Sequence, residues 1–197
     1  MKIGLIAYRG GNVRSIRSAL ESLGVEIVYS RDFYELASCA GLVFPGVGAA
    51  APAMEDLRAS GLDRWMPAWN RPFLGICLGM QLLCAYSEEG GVPGLGVFPL
   101  RVERFQKAPR IPHIGWNTVD FSEEEALFAG IPPYSYFYFV HSYRVPLSDY
   151  TIGRAEYGER FSAALRRDNF WGVQFHPEKS SSVGLQILSN FVRLCSL

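Results

Sequence analysis

The chain has 197 residues, a length that suits one domain of about 100–200 residues, and 49% of them are hydrophobic, enough for a packed core. Nineteen Lys and Arg balance nineteen Asp and Glu without a strongly basic block, which argues against a nucleic-acid partner, since phosphate binding needs a clustered positive surface. No apolar run reaches the roughly 18 residues of a membrane-spanning helix, and the apolar start at residues 1–7 is too short for a secretory signal, so a chain with no membrane partner in a reducing, cytoplasmic setting is expected.

In chain order, residues 2–7 read as a buried strand. Residues 13–23 follow as a helix with Val13, Ile16, Leu20 and Leu23 on one face, and Asn12 is its expected N-cap. Short apolar runs at 25–29 and 41–44 come next, and a run at 72–76 leads straight into a helix predicted at 77–86. This strand–helix alternation predicts a largely parallel sheet with helices on both faces. From residue 95 to 175 the pattern changes to short strands at 96–105, 113–119, 135–145, 150–156, 161–166 and 170–175, with one helix at 122–129. A last helix is predicted at 181–194, where Val183, Ile187, Phe191 and Leu194 form an apolar stripe. There is no internal repeat or linker. The prediction is a single domain over 1–197, a three-layer α/β sandwich with a mostly parallel mixed central sheet and antiparallel additions in its second half.

The four cysteines, Cys39, Cys77, Cys84 and Cys195, include no Cys-x-x-Cys pair, and the three histidines include no His-x-x-x-His spacing, so neither a disulfide framework nor a zinc site is expected. Cys77 differs from the rest. In Gly75-Ile76-Cys77-Leu78-Gly79 it sits between an apolar strand and a helix, the Gly-x-nucleophile-x-Gly elbow with Cys in place of Ser. Flanking glycines let the chain turn sharply, a helix N-terminus favours a thiolate, and the Leu78 N–H is suited to stabilise an oxyanion. A free cysteine is more often a small buried hydrophobe, and Cys39, Cys84 and Cys195 read that way.

Phe175-His176-Pro177-Glu178 supplies a base and its orienter. Pro177 biases His176 towards an extended chain, where residues i and i+2 face one side, so Glu178 can accept from one imidazole nitrogen while the other meets a thiol. A lone His-x-Glu is usually a solvated loop. Beside the cysteine elbow it predicts a Cys77–His176–Glu178 triad held by the apolar run 171–175.

These two segments, extended as Gly75-Ile76-Cys77-Leu78-Gly79-Met80-Gln81 and His176-Pro177-Glu178, strongly resemble the class I (triad) glutamine amidotransferases. Pro45-Gly46-Val47-Gly48, Pro112-His113-Ile114-Gly115-Trp116-Asn117, Tyr138-Phe139-Val140-His141-Ser142-Tyr143 and His176-Pro177-Glu178-Lys179-Ser180 further resemble the branch that serves histidine biosynthesis, in order and spacing nearly end to end. The resemblance implies a flavodoxin-like fold and hydrolysis of L-glutamine to glutamate and ammonia without a cofactor. It also implies delivery of the ammonia to a (β/α)8-barrel cyclase subunit in a heterodimer.

It implies roles for individual residues as well. Gln81, Glu89, Gly48 and the segment His141, Ser142 and Tyr143 would hold glutamine, Glu89 at its α-amino group. The N–H groups of Val47 and Leu78 would form the oxyanion hole, and Asn12, Trp116, Tyr138 and Lys179 would meet the cyclase. Lys179 is one of only three lysines against sixteen arginines, which makes it a distinctive contact. The first loop departs from the family's Asp-Tyr-Gly-x-Gly-Asn: this chain has Ala7-Tyr8-Arg9-Gly10-Gly11-Asn12. Three alternatives stand beside this expectation. They are a class I glutaminase feeding a different synthase, a catalytically silent regulatory relative, and a cysteine peptidase.

Overall fold

The computed structural model describes residues 1–8, 13–122 and 124–196. Its first half is strand–helix alternation. β1 (Lys2–Ile6), β2 (Glu26–Ser30), β3 (Gly41–Phe44) and β4 (Phe73–Ile76) are interleaved with α1 (Arg14–Glu21), α2 (Phe33–Ala37), α3 (Ala50–Ser60) and α4 (Leu62–Trp65). Helix α5 (Leu78–Leu83) leads without a loop into β5 (Cys84–Ser87), followed by β6 (Val92–Pro93) and β7 (Phe98–Arg104). The second half adds β8 (His113–Thr118), β9 (Asp120–Phe121), β10 (Tyr136–His141), β11 (Tyr143–Arg144), β12 (Thr151–Glu156), β13 (Arg160–Arg167) and β14 (Phe170–Val173) before α6 (Ser181–Leu194).

Eight strands form the central sheet in the order β2-β1-β3-β4-β14-β13-β12-β9. Pairing is parallel from β2 through β14 and antiparallel from β14 to β9. This is the mixed, mostly parallel three-layer architecture expected from the sequence. Because side chains alternate along a strand, each strand feeds two cores. Ile3, Leu5, Val43, Leu74, Ile76 and Val173 pack with Ile16, Leu20, Ile187 and Phe191 of α1 and α6. Ile6, Leu42, Phe44, Phe73 and Phe170 pack on the other face with Leu36, Met54, Leu57 and Leu82 of α2, α3 and α5. A sheet buried on both faces explains why these strands read as continuous apolar runs.

Three local expectations are corrected and one helix went unpredicted. The helix predicted over 77–86 ends at Leu83, because Cys84 turns extended (φ −72°, ψ 167°) and the next residues pair with β7 instead. The helix predicted over 122–129 is a single 3₁₀ turn at Ala126–Phe128, whose Leu127 and Phe128 plug into the core. The strand predicted over 135–145 breaks at Ser142: Tyr136–His141 pairs with β8, whereas Tyr143–Arg144 pairs with β7. Helix α3 was not foreseen, although Ala50, Ala53, Met54 and Leu57 are buried at helical spacing and Gly61 (φ +75°) ends it. Asn12, the expected cap of α1, and Arg9 lie outside the described residues.

Candidate active site

Three adjacent parallel strands, β3, β4 and β14, end at one edge of the sheet. The chain leaving β3 carries Val47 and Gly48, that leaving β4 carries Cys77, and that leaving β14 carries His176. Carboxyl ends of parallel strands are where α/β folds gather functional groups. The Cys77 N–H donates to the Val173 carbonyl at 2.7 Å, which ties the turn after β4 to the end of β14.

The elbow differs from expectation in one respect. The strained backbone belongs to Cys77 itself (φ 51°, ψ −109°), a conformation that L-residues rarely adopt. The glycines instead give room to their neighbours. A methyl group on Gly79 would collide with the Phe44 carbonyl, and one on Gly46 with the backbone of Ile76, Leu78 and Gly79. The loop after β3 is thereby pressed against the start of α5. The N–H groups of Leu78, Gly79 and Met80 lie in the first turn of α5, where no intrahelical acceptor exists.

A cavity of about 390 Å³ opens at this edge. Its walls include Cys77, His176, Val47, Gly48, Leu78, Gln81, Glu89, His141, Ser142 and Tyr143, so every glutamine-contacting and oxyanion residue expected from the sequence reaches one site. A larger depression of about 570 Å³ lies at the β9–β12 edge, around Asp120, Glu124 and Arg154, and has no cysteine or histidine in its walls.

His176 is buried, and its Nδ1 lies 2.9 Å from Glu178 Oε1. Glu178 does not line the cavity but stands behind the ring. Burial acts most strongly on His176 and lowers its pKa, yet the combined pull of the nearby Cys77 sulfur and the Glu178 carboxylate raises it to about 10. Its Nε2 is buried and without a hydrogen-bond partner among the described residues, which leaves it to the sulfur and to a ligand. The other cysteines behave as expected for core residues: burial pushes the Cys84 and Cys195 thiols up to about 12 and raises Cys39 as well.

Glu89 reaches the cavity from the turn after β5. Its Oε2 accepts from the Ala50 N–H at the start of α3 (3.0 Å), while burial raises its pKa. The break at Ser142 turns the Tyr143 carbonyl inward, where it accepts from Gln81 Nε2 at 3.0 Å and from His141 Nδ1 at 2.8 Å. Burial lowers His141 to about 3 and His113, 3.0 Å from it, to about 4. Both rings are therefore neutral at physiological pH, as are most buried imidazoles without a carboxylate.

Beside the cavity the antiparallel β8–β10 pair shows an aromatic face. Trp116 and Tyr138 are cross-strand partners in edge contact (6.0 Å), with Lys179 over the Tyr138 ring at 5.9 Å. Trp116, Ile114 and Tyr136 are exposed. The backbone of Tyr138 is bonded to the His176 segment from both sides: its carbonyl accepts from the His176 N–H at 2.9 Å and its N–H donates to Ser180 Oγ at 2.9 Å. Sequence reasoning overlooked Tyr8, whose hydroxyl donates to the Pro45 carbonyl at 2.8 Å beneath the Val47 loop. It also overlooked Gln174, buried next to Cys77.

The family model for glutamine amidotransferase class-I matches residues 5–195. The chain belongs to that family. Among curated proteins it is 47% identical to the imidazole glycerol phosphate synthase subunit HisH of Bacteroides fragilis, covering 98% of this chain and 100% of that protein. It is 45% identical to the HisH subunit of Methanocaldococcus jannaschii, covering 98% and 99%. A glutamine amidotransferase from Thermotoga maritima shares the fold at TM-score 0.74 and 16% identity, over 100% of this chain and 99% of that one. Among the described residues no helix is long and apolar enough to cross a membrane.

Proposed function

We propose that residues 1–197 work as one domain, the glutaminase subunit of an imidazole glycerol phosphate synthase, with Cys77, His176 and Glu178 as its triad. The family match and the full-length relatives support the activity. The observation that carries the residue assignment is the convergence of Cys77 and the His176–Glu178 pair on a cavity walled by Gln81, Glu89 and the 141–143 segment.

The Cys77 thiolate attacks the side-chain carbonyl carbon of L-glutamine. The oxyanion is met by N–H groups of Leu78, in the first turn of α5, and Val47, on the loop pressed against it. His176 gives its proton to the amide nitrogen, the C–N bond breaks, ammonia leaves, and a glutamyl thioester remains. Water then attacks the thioester, His176 takes its proton, and glutamate departs with the thiolate restored. A histidine held protonated by a carboxylate suits the first half-reaction, in which it must act as an acid. Glu89, with Oε2 already accepting from Ala50, offers its carboxylate to the substrate's α-amino group, and Gly48 and Ser142 border the amino-acid end.

Released ammonia is passed to a second subunit, a (β/α)8-barrel cyclase. The face presented by Trp116, Tyr138 and Lys179 suits such a partner, since exposed aromatics rimmed by charge mark protein interfaces. Its direct backbone tie to His176 gives docking a route to the site. The setting is the cytoplasm, and no cofactor takes part.

The test is ammonia release from L-glutamine by the full chain, alone and with a barrel cyclase carrying its nucleotide ligand. Stimulation by the cyclase and loss of activity in Cys77→Ala are expected. An active Cys77→Ala protein would remove the triad assignment, and a competent enzyme indifferent to any barrel cyclase would remove the pathway.

A further inference from the structure

The carboxamides of Gln81 and Gln174 are linked head to tail, and one fixed point sets their polarity. The Tyr143 carbonyl can only accept. Gln81 must therefore turn its NH₂ group towards it (3.0 Å), and the same Nε2 donates its second hydrogen to Gln174 Oε1 at 2.8 Å. With its oxygen engaged, Gln174 presents Nε2 to Cys77 Sγ at 3.6 Å, within the range of an N–H···S contact.

The polarity is reinforced from the far side. His141 Nδ1 must be the protonated nitrogen, because it too faces the Tyr143 carbonyl, so its Nε2 accepts from His113 Nδ1 at 3.0 Å. Gln81 and Gln174 are buried, at 4% and 0% exposure, and the chain of bonds leaves neither amide an equivalent flipped arrangement.

An amide NH₂ has hydrogens to give and no lone pair to accept an S–H proton. It therefore favours the sulfur as thiolate. The opposing contact is the Val140 carbonyl, 3.8 Å from the sulfur, which can accept only from the thiol. We propose that Gln174 is a further catalytic residue, donating an N–H to Cys77 Sγ so that the nucleophile is held as thiolate, and that Gln81 is the positioning residue that locks the polarity of that donor. This rests on the assignment of Cys77 as nucleophile and adds a charge-stabilising partner besides His176.

The experiment is alkylation of the full chain by iodoacetamide, with each cysteine followed by peptide mass spectrometry, in wild type, Gln174→Leu and Gln174→Glu. Gln174→Leu removes the donor. Its Cys77 should react about tenfold more slowly than wild type at about pH 7 and recover the wild-type rate at about pH 10, where a thiol ionises unaided. Gln174→Glu keeps the shape and the acceptor facing Gln81 but sets a carboxylate against the sulfur, and its Cys77 should be slower still at about pH 7. A merely structural role for Gln174 would change the rate equally at both pH values. If Gln174→Leu does not fold, Gln174→Glu decides alone.

Wild-type rates at about pH 7 in the folded variants would overturn the assignment while leaving Cys77 as nucleophile. If instead Cys77 in the wild type reacts no faster than Cys195, the nucleophile assignment fails and this inference with it.

Discussion

His141, backed by His113, and His176 wall the same cavity, the first pair neutral and the last protonated. Burial pushes His113 and His141 down to about 4 and about 3, and it acts in the same direction on His176, which nevertheless stands at about 10. The difference lies in the partners. His141 meets a backbone carbonyl and another neutral imidazole, whereas His176 meets the Glu178 carboxylate and the Cys77 sulfur. Without a charged partner a buried imidazole becomes a rigid, directional hydrogen-bonding element. With a carboxylate at 2.9 Å it can hold a proton, as the proposed acid–base role requires.

Exchange of the ring on each side tests that division. His176→Gln should lower glutamine hydrolysis by about 10⁴-fold, the upper end for loss of an acid–base group, measured as kcat with the cyclase present. Glu178→Gln keeps the shape but removes the charge that holds His176 protonated, and a loss of about 10²–10³-fold is expected, with the pH dependence of kcat displaced. His113→Leu leaves His141 Nε2 as a buried acceptor without its donor. It should cost about 1–3 kcal/mol in a denaturant titration while changing kcat less than about tenfold. A His113→Leu enzyme as inactive as His176→Gln would erase the distinction.

The pH dependence of stability offers the gentlest probe. His113 and His141 lie below the ordinary value of 6.5, so the unfolded chain binds more protons between that value and about 4 for His113 and about 3 for His141. Their contribution to stability is present above 6.5 and is lost as pH falls through that window. His176 lies above 6.5; its contribution is complete below that value and is lost as pH rises towards about 10. Thermal melts should therefore decline on both sides, with His113→Leu flattening the acid limb and His176→Gln the alkaline one.

Much of this site is legible in the sequence because its elements are local. The Cys77 elbow and the His176-Pro177-Glu178 turn each hold their geometry within five residues or fewer, and the apolar runs before them specify the two adjacent strands. Interactions assembled from distant segments are not legible. Gln174 acquires its meaning only when β14, α5 and the break at Ser142 meet, and its amide polarity depends on a carbonyl 31 positions earlier in the chain. The helix predicted over 77–86 stops at Leu83 because strand pairing with β7 outweighs the local pattern. Helix α3 has the correct spacing, and its Pro52 sits in the first turn, where a missing N–H costs nothing. Trp116 and Tyr138 could have been core residues by composition; the β8–β10 register pairs them on a face where Trp116 is exposed and Tyr138 half-buried.

The proposed mechanism turns on the opening of glutamine at Cys77. Acid quenching of the full chain with a barrel cyclase present during turnover of L-glutamine, followed by peptide mass spectrometry, tests it most directly. A glutamyl group is expected on the peptide carrying Cys77 in the wild type, and none in Cys77→Ala. Ammonia release by the wild type with no adduct on Cys77, or an adduct on Cys84 or Cys195 instead, would contradict it.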